Sequence, residues 1–268
     1  MNKKLSLIWL IYKHGIEKYF YKNFKLYAPS VAGDSNLKGR HTIETIKLIF
    51  PLILKLLLTF KIKPKIINAN SFYKNKNKNE IKKLKKLFDF YGSDKAKIHN
   101  YHLIYSSIFS KKIKVKKILE IGLGTDNENL LSNMGKQGKP GASLKAFRDY
   151  FKNSKIYGAD IDKNILFSDL KIKTSFVDQT NQKSMDLLFK KFGGNFDLII
   201  DDGMHSPLAN MIFLITSIKH LKKGGCLVIE DISPNSLTIW KIISIMMNPK
   251  FKNILIKSKT SYVFILYK

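Results

Sequence analysis

The sequence predicts an α/β fold, in which a doubly wound, mostly parallel sheet carries a C-terminal antiparallel hairpin and follows a mainly helical N-terminal region. Three observations support this prediction. From residue 112 onward, short apolar runs alternate with helical segments, the last two runs are separated by only four residues, and 44% of the 268 residues are hydrophobic. Alternating strands and helices form parallel sheets, and this much apolar material can fill a large core.

Five apolar runs have the length of a strand and are nearly continuous, which is typical of strands that are covered on both faces. They span residues 117–121, 155–161, 173–177, 196–201 and 226–230. Helical segments separate them at residues 143–151, 182–192 and 207–221, with Ser143 as the expected N-cap of the first and Gly224 and Gly225 ending the third. These strands are therefore expected to be parallel.

The C-terminal part departs from this alternation. After a helix at residues 236–247, two further strands are expected at residues 253–257 and 262–267. The four residues between them are too few for a crossover connection, so the two strands are expected to pair as an antiparallel hairpin.

Charge is unevenly distributed along the chain. The net charge is +28, and all basic residues except Arg40 and Arg148 are lysines. Arginine makes the bidentate contacts on which specific nucleic-acid readers depend, so no specific nucleic-acid partner is expected. Residues 1–86 carry a net charge of +16 and residues 87–268 one of +12. With the basic, low-complexity stretch 73–86 as a linker, we predict an N-terminal region of residues 1–86 and a domain of residues 87–268.

The targeting signals of the sequence are weak. Residues 5–12 are apolar and follow two lysines, but they are few and no small-residue cleavage site follows, so a signal peptide is not expected. The apolar segment 48–60 is too short to span a bilayer. It is predicted to be either a buried helix or an interfacial helix whose neighbouring lysines meet lipid headgroups, namely Lys47, Lys55, Lys61, Lys63 and Lys65.

The single cysteine, Cys226, excludes an internal disulfide and fits a reducing compartment. We therefore expect a cytoplasmic protein, peripheral at the inner membrane face if the basic N-terminal region binds lipid, and a homo-oligomer is compatible with the sequence.

Gly122 and Gly124 follow the first predicted strand directly. Glycines at this position let the backbone approach a ligand at the carboxyl edge of the sheet, although a plain tight turn would use them equally well. The next 18 residues, 125–142, precede the helix and are too long for the compact phosphate cradle of a dinucleotide-binding motif.

Acidic side chains follow the next two strands. Asp160 or Asp162 could accept hydrogen bonds from the ribose of an adenosine-containing cofactor, and we prefer Asp160 because Asp162 is well placed to cap a helix. Asp178 and Gln179, after the third strand, could hold an adenine edge or cap the following helix.

The densest group of polar residues follows the fourth and fifth strands and comprises Asp201, Asp202, His205, Glu230 and Asp231. So many carboxylates on one rim would repel each other, and a divalent cation would relieve the repulsion. Oxygen ligands favour Mg²⁺ or Mn²⁺ over zinc, and the imidazole of His205 could accept a proton at neutral pH. Separate helix caps and salt bridges to the many lysines are the structural alternative. The polar and aromatic residues 91–95 and 99–102 are expected either to cover this rim as a lid or to form an ordinary capped helix.

This order of motifs resembles the class I S-adenosylmethionine-dependent methyltransferases, which have a Rossmann-like sheet. More narrowly, the segments YGSDKAKIHNYHLIY, GASLKAFRDYF, IYGADID, VDQT, IIDDGMH and GGCLVIEDI resemble the metal-dependent sugar O-methyltransferases of macrolide biosynthesis and of bacterial polysaccharide gene clusters. The resemblance covers residues 88–235. Met204 departs from it, since serine is common there, and the loop 125–142 is longer than in the macrolide enzymes.

The resemblance implies an enzyme that transfers a methyl group to a sugar hydroxyl in the biosynthesis of a surface polysaccharide, capsule or O-antigen. The acceptor would be a sugar or glycan in nucleotide-linked or lipid-linked form. His205 is the implied catalytic residue, with Asp202 beside it, and Asp202, Glu230 and Asp231 are the implied ligands of Mg²⁺ or Mn²⁺. The implied contacts to S-adenosylmethionine are Glu120, Gly122, Gly124, Ser143, Asp160, Asp178 and Asp201.

Three other functions are compatible with parts of the sequence. An RNA methyltransferase would use the positive charge, but DDGMH replaces the Pro-Pro-aromatic segment of base-amino methyltransferases. A hydroxylase similar to the cephalosporin hydroxylases would need two histidines and a carboxylate for iron, and only His205 is well placed. A non-catalytic scaffold at a membrane surface would need only the basic N-terminal region.

Overall fold

The computed structural model describes residues 35–73, 78–109 and 115–268. The chain divides into two compact units, Met1–Ile62 and Lys63–Lys268. The signal-like segment 5–12 and part of the low-complexity stretch 73–86 lie outside the described residues. In the first unit, the described residues form one long helix, α1 (Ser35–Thr59).

The second unit holds the sheet and the helices that cover it. In chain order its elements are β1 (Ile66–Asn68), α2 (Ala69–Phe72), α3 (Lys78–Tyr91), α4 (Asp94–Lys97), α5 (Tyr101–Phe109), β2 (Lys117–Ile121), α6 (Ala142–Tyr150), β3 (Lys155–Asp160), β4 (Ile172–Phe176), α7 (Gln182–Phe192), β5 (Phe196–Asp201), α8 (Pro207–Ser217), β6 (Leu221–Ile232), α9 (Leu237–Met247), β7 (Lys252–Lys257) and β8 (Tyr262–Tyr267).

The eight strands form one sheet in the order β1-β7-β8-β6-β5-β2-β3-β4. Neighbouring strands are parallel except that β8 runs antiparallel to both β6 and β7, as the short connection predicts. From β2 the chain moves outward through β3 and β4, and then returns to the other side of β2 with β5. This reversal creates a crevice at the carboxyl ends of β2 and β5, where open α/β sheets bind ligands.

Hydrophobic cores lie on both faces of the sheet. Successive strand residues point to opposite faces, so Leu198 and Ile200 join one core while Ile199 between them joins the other. The first core includes Phe88, Tyr105 and Phe147 from the helices on that side, and the second includes large apolar residues such as Phe189, Phe213 and Trp240. Burial on both faces explains why the apolar runs are continuous, and confirms the doubly wound, mostly parallel arrangement.

The boundary between the compact units falls at Ile62 and Lys63, earlier in the chain than the sequence-based boundary at residue 86. β1 adds to the sheet edge by pairing in parallel with β7. Leu84 and Phe88 of α3 are fully buried in the core of the sheet. Residues 63–86, as far as they are described, therefore belong to the same unit as the sheet.

Two local expectations are wrong. The N-cap of α6 is Gly141, which has a φ of +72°, and not Ser143, whose hydroxyl donates a hydrogen bond to Glu120 instead. α8 ends at Ser217, and Gly224 and Gly225 lie within β6 rather than at the end of the helix.

The segment 48–60 is helical up to Thr59, but it is not the buried helix that was one of the two expectations. Large apolar side chains along it, such as Leu52 and Leu56, are more than half exposed. Among the described residues, none of the helices combines the length and the apolar character needed to cross a membrane.

Candidate active site

A cavity of about 810 Å³ opens at the carboxyl ends of β2 and β5. The carboxyl ends of five parallel strands, β2 to β6, contribute to its wall, together with α4 and the long loop 125–141. Its lining includes Gly122, Gly124, Leu130, Met134, Asp160, Asp178, Gln179, Asp202, Met204, His205, Asp231, Asp94 and His99. The position is the topological switch point, where this class of sheet places its ligands.

Gly122 sits where β2 passes close to the end of β5. Its φ is +91°, and a Cβ atom built on it would lie 1.9 Å from the backbone oxygen of Asp202. The N–H group of Asp202 donates to the carbonyl oxygen of Ile121 (2.8 Å). Glycine is therefore required here by the approach of the two strand ends, in addition to any ligand contact that the sequence suggested.

Asp160 and Asp162 have different partners, as expected from their positions in the sequence. Asp160 lines the cavity and accepts hydrogen bonds from the N–H groups of Leu123 (2.7 Å) and Asp162 (2.9 Å). Burial raises the pKa of Asp160, and these two N–H groups oppose the rise. Asp162 caps the short 3₁₀ turn Lys163–Ile165 and accepts from the hydroxyl of Thr125. Each Asp160 oxygen has a second lone pair for a further donor.

Asp178 and Gln179 follow β4 and line the same cavity. Asp178 accepts hydrogen bonds from the backbone and the hydroxyl of Thr180, while Asn181 supplies the N-cap of α7. The Gln179 side chain donates to Asp201 Oδ1 (2.6 Å) and accepts from the N–H of Met204 (3.0 Å). Gln179 therefore holds the loop that carries His205.

Asp201 and Asp202 are adjacent but point in opposite directions. Asp201, at the end of β5, is fully buried and accepts hydrogen bonds from the side chains of Gln179 and Asn210. Burial raises the pKa of Asp201, and these two hydrogen bonds oppose the rise. Asp202 faces the cavity. Asp201 thus fixes the loop from inside, whereas Asp202 is available to a ligand.

Asp202, His205 and Asp231 form the group at the cavity that could hold a metal ion. Each offers one ligand atom, and these atoms lie within 4.8 Å of one another. His205 Nε2 is 3.9 Å from Asp202 Oδ1, and His205 Nδ1 is buried without a hydrogen-bond partner. The two carboxylates supply the oxygen ligands that Mg²⁺ or Mn²⁺ prefers, whereas an imidazole is a more common ligand of zinc, copper, iron or nickel.

The backbone positions two of these side chains at a conformational cost. His205 has a φ of +56° and Asp231 a φ of +50°, values that residues other than glycine rarely adopt. Directly after His205, Ser206 caps α8 and Pro207 occupies its first turn, so the loop ends abruptly at the rim. Strained residues of this kind concentrate at functional sites.

A buried lysine lies behind this group. Lys95 of α4 is 1% exposed, and its Nζ donates to Asp202 Oδ2 (2.6 Å) and to Glu230 Oε2. Glu120 Oε1 is 3.1 Å from the same nitrogen. Glu230 also accepts from the hydroxyl of Tyr105, so both of its oxygens are engaged. Asp202 thus directs one oxygen to Lys95 and the other towards His205.

The charges of this cluster, Lys95 with Glu120, Asp202 and Glu230, do not balance. Burial opposes the charge on Lys95, but the carboxylates of Asp202, Glu230 and Glu120 raise its pKa well above the ordinary value. Burial raises the pKa of Glu230 well above its usual range, and of Glu120 to a lesser degree, with Lys95 opposing both shifts. One ammonium cannot neutralise three carboxylates, so the cluster favours keeping a proton on a glutamate.

Asp231 is held by a second set of partners. Its Oδ1 accepts from the hydroxyls of Tyr101 and Ser261, both at 2.9 Å, and lies 3.3 Å from His99 Nδ1. The other ring nitrogen of His99 is 3.3 Å from Asp94. Because both nitrogens of His99 are engaged, it is not free to complete a two-histidine iron site.

The structure brings most of the expected site residues to one place. Gly122, Gly124, Asp160, Asp178, Asp202, His205 and Asp231 line the cavity, whereas Glu120, Ser143, Asp201 and Glu230 are buried and do not line it. Ser93 caps α4, while Asp94 and His99 also border the cavity, so the segment 91–102 combines the two alternatives considered for it. Sequence reasoning missed Lys95 as an internal cation, although it stands in the quoted segment YGSDK.

Comparison with curated proteins finds partial matches to sugar O-methyltransferases. The chain is 29% identical over 143 residues to the 8-demethyl-8-alpha-L-rhamnosyl tetracenomycin-C 2′-O-methyltransferase of Streptomyces olivaceus, covering 53% of this chain and 35% of that protein. It is 33% identical over 91 residues to the mycinamicin VI 2″-O-methyltransferase of Micromonospora griseorubida, covering 34% and 23%. The matched stretches thus span about a third or less of the relatives' own length. No family model matches the chain.

Solved structures give the same fold. MycE methyltransferase from the mycinamycin biosynthetic pathway, in complex with Mg and SAH, superposes with a TM-score of 0.56 at 24% identity, covering 69% of this chain and 54% of that one. Its complex with Mg, SAH and mycinamycin VI gives 0.56 at 23% identity, covering 72% and 55%. The chain therefore has the fold of a class I S-adenosylmethionine-dependent methyltransferase and resembles the sugar O-methyltransferases of macrolide biosynthesis.

Proposed function

We propose that this protein is an O-methyltransferase that uses S-adenosylmethionine and a divalent cation, Mg²⁺ or Mn²⁺, to methylate a sugar hydroxyl. The observation that carries the proposal is that one cavity contains both sets of residues the reaction needs. Gly122, Asp160 and Asp178 lie on its cofactor side, and Asp202, His205 and Asp231 form the acidic group beside them.

The cavity fits a cofactor of this kind. Its volume of about 810 Å³ is within the range of small-molecule sites. Asp160 keeps lone pairs for ribose hydroxyls, and Gly122 leaves the floor of the crevice open. When bound, S-adenosylmethionine supplies a methyl group already activated by its sulfonium, so the protein mainly has to align donor and acceptor.

The acidic group fits a divalent cation. Asp202 and Asp231 would hold it, and it would lower the pKa of a coordinated acceptor hydroxyl. Glu230 stays a predicted third ligand, and that role would require it to share an oxygen with Lys95. Both MycE complexes contain Mg, which supports this part of the proposal.

His205 is assigned the role of general base, which accepts the proton of the acceptor hydroxyl. Its Nδ1 is buried, which leaves Nε2 as the ring nitrogen next to Asp202. The positive φ and the cap at Ser206 fix the imidazole in this place, so little rearrangement is needed during the reaction. Lys95, behind Asp202, orients the carboxylate without touching the cavity.

The acceptor is proposed to be a sugar of a surface polysaccharide, capsule or O-antigen, in nucleotide-linked or lipid-linked form. One support is the likeness of the motifs in residues 88–235 to methyltransferases of bacterial polysaccharide gene clusters. The other is that curated relatives are named for sugar-bearing acceptors, a rhamnosyl tetracenomycin and an olivosyl-oleandolide.

The test combines binding and transfer. Calorimetry with SAH should show binding to the wild type and to His205→Asn, a replacement that tolerates a positive φ, but weak binding to Asp160→Ala. Transfer of a labelled methyl group to a nucleotide-linked deoxysugar, dTDP-L-rhamnose, and to extracted lipid-linked glycans should need Mg²⁺ and should fall about 10²–10⁴-fold in His205→Asn. Full transfer in the presence of EDTA would remove the metal from the mechanism, and absence of SAH binding would refute the assignment as a whole.

A further inference from the structure

The helix α1 and the three residues after it expose an unusual number of large apolar side chains. The most exposed are Leu52 (58%), Leu56 (57%) and Phe60 (68%). Others between 36% and 48% exposed are Ile43, Ile46, Leu48, Ile49, Phe50, Leu58 and Ile62. Contiguous apolar surface of this kind marks a site of interaction with another molecule or with a membrane.

From Glu44 to Leu58, the charged residues of α1 and Pro51 lie in one narrow stripe. Glu44, Lys47, Pro51 and Lys55 recur every three or four residues, which places them on one side of the helix. The remaining circumference is almost entirely apolar through Leu58. A helix with a broad apolar arc and a narrow polar stripe that carries lysines is suited to lie in the plane of a membrane surface, with its apolar side between the acyl chains.

Charge decides between a membrane and a second copy of the chain as the partner. Residues 1–62 contain 11 Lys or Arg and three Asp or Glu, a net charge of +8. Three exposed lysines lie in the same stretch of chain as these apolar side chains, namely Lys47, Lys55 and Lys61. Two such units would repel each other, whereas anionic lipid headgroups attract them.

We propose that α1 docks on the surface of a bilayer that contains anionic lipid, with Leu52 and Leu56 inserted and Lys47 and Lys55 at the headgroups. The binding is peripheral, since α1 does not meet the requirements of a spanning helix. This property is independent of the proposed methyl transfer.

The experiment uses the full chain and vesicles of phosphatidylcholine with or without phosphatidylglycerol. The protein should sediment with the anionic vesicles at low salt, and less with neutral vesicles or at high salt. The double variant Leu52→Glu/Leu56→Glu should weaken this binding at least about tenfold, because it removes inserted apolar surface and adds negative charge. The control Leu187→Glu/Ile215→Glu makes the same change of charge at similarly exposed positions of α7 and α8, and should bind much better than the α1 variant.

A second measurement does not depend on the folding of the glutamate variant. Cys226 is buried, so a cysteine introduced at position 52 or 55 can be labelled selectively with an environment-sensitive nitrobenzoxadiazole dye. On addition of anionic vesicles, the dye at Leu52→Cys should shift to the blue as it enters the hydrocarbon, while the dye at Lys55→Cys should shift less. Absence of sedimentation with anionic vesicles, equal loss of binding in the two double variants, or equal dye shifts would overturn the proposal. A lipid-free dimer that Leu52→Glu/Leu56→Glu dissociates would identify a second copy as the partner instead.

Discussion

At the scale of single residues, Lys95 determines how two buried glutamates and the partly exposed Asp202 can lie close together. Its ammonium contacts Asp202, Glu230 and Glu120, and the side chains of Lys95, Glu120 and Glu230 are at most 2% exposed. Each buried charge loses its hydration, and only a close partner of opposite sign compensates. The arrangement joins three strand ends, since Glu120 belongs to β2, Asp202 follows β5 and Glu230 lies in β6.

Replacement of this lysine should therefore be costly. Lys95→Met is expected to lower the free energy of unfolding by about 3–5 kcal/mol, the usual cost of breaking a buried ion pair from one side. Urea unfolding followed by circular dichroism measures the loss. Lys97→Met, on the same short helix but at an exposed position, is the matched control and should change stability by less than about 0.5 kcal/mol. Equal stabilities of the two variants would contradict the role assigned to the cluster.

His102 should make the stability of the protein sensitive to acid. Burial, and to a lesser extent the nearby charge of Lys85, lowers the pKa of His102 from 6.5 to about 4. Because the folded pKa is below the unfolded one, neutral His102 contributes stability that is present above pH 6.5 and is lost as the pH falls towards 4. His102→Gln should reduce the dependence of the unfolding free energy on pH in this window. Parallel pH profiles for wild type and variant would refute the prediction.

Lys95 also shows where sequence reasoning ends at this scale. The acids at the strand ends could be predicted, because a strand that ends in a carboxylate places it at a known edge of the sheet. The lysine could not, since nothing in the sequence separates one buried lysine from the many exposed ones. Its burial depends on how α4 packs over β2, β5 and β6, which is a tertiary property.

At the scale of elements, periodicity and connection length predicted most of the domain. The strands at residues 117–121 and 196–201 and the hairpin at the C-terminus appear where continuous apolar runs and a short connection require them. β1 was not expected, because a three-residue edge strand has too few side chains to show a pattern. The N-cap of α6 was misplaced since the hydroxyl of Ser143 is used by Glu120.

Gly122 links two of these elements, and the contact can be tested. Gly122→Ala places a Cβ atom 1.9 Å from the carbonyl oxygen of Asp202, so the ends of β2 and β5 must separate. We expect loss of SAH binding and a loss of stability well above the roughly 1–2 kcal/mol that a positive φ costs alanine by itself. Gly135→Ala isolates that backbone cost, because Gly135 has a φ of +66° and open space around it. Calorimetry and thermal unfolding compare the two, and similar effects would show that the strand contact is not the cause.

At the scale of the whole molecule, the two properties proposed for the chain, methyl transfer and membrane docking, belong to different compact units. Among the described residues, those of the sheet, of its two cores and of the cavity lining belong to residues 63–268. The apolar surface proposed to meet lipid belongs to residues 1–62. Residues 1–62 carry +8 of the net charge of +28 and residues 63–268 carry the other +20, so the acidic candidate active site lies in a domain that is itself basic.

This separation predicts the behaviour of a truncated chain. A protein that begins at Lys63 should fold, because β1 remains available to pair with β7 and the core residues that the structure describes are all retained. Its affinity for SAH in calorimetry and its thermal unfolding should equal those of the full chain, while its sedimentation with anionic vesicles should fall to that of the Leu52→Glu/Leu56→Glu variant. A chain that begins at Phe72 is the contrasting variant, since it lacks β1 and should unfold at a lower temperature. If removal of residues 1–62 abolished SAH binding in a folded protein, the first unit would have to contribute to the cavity, and the separation of catalysis from docking would be wrong.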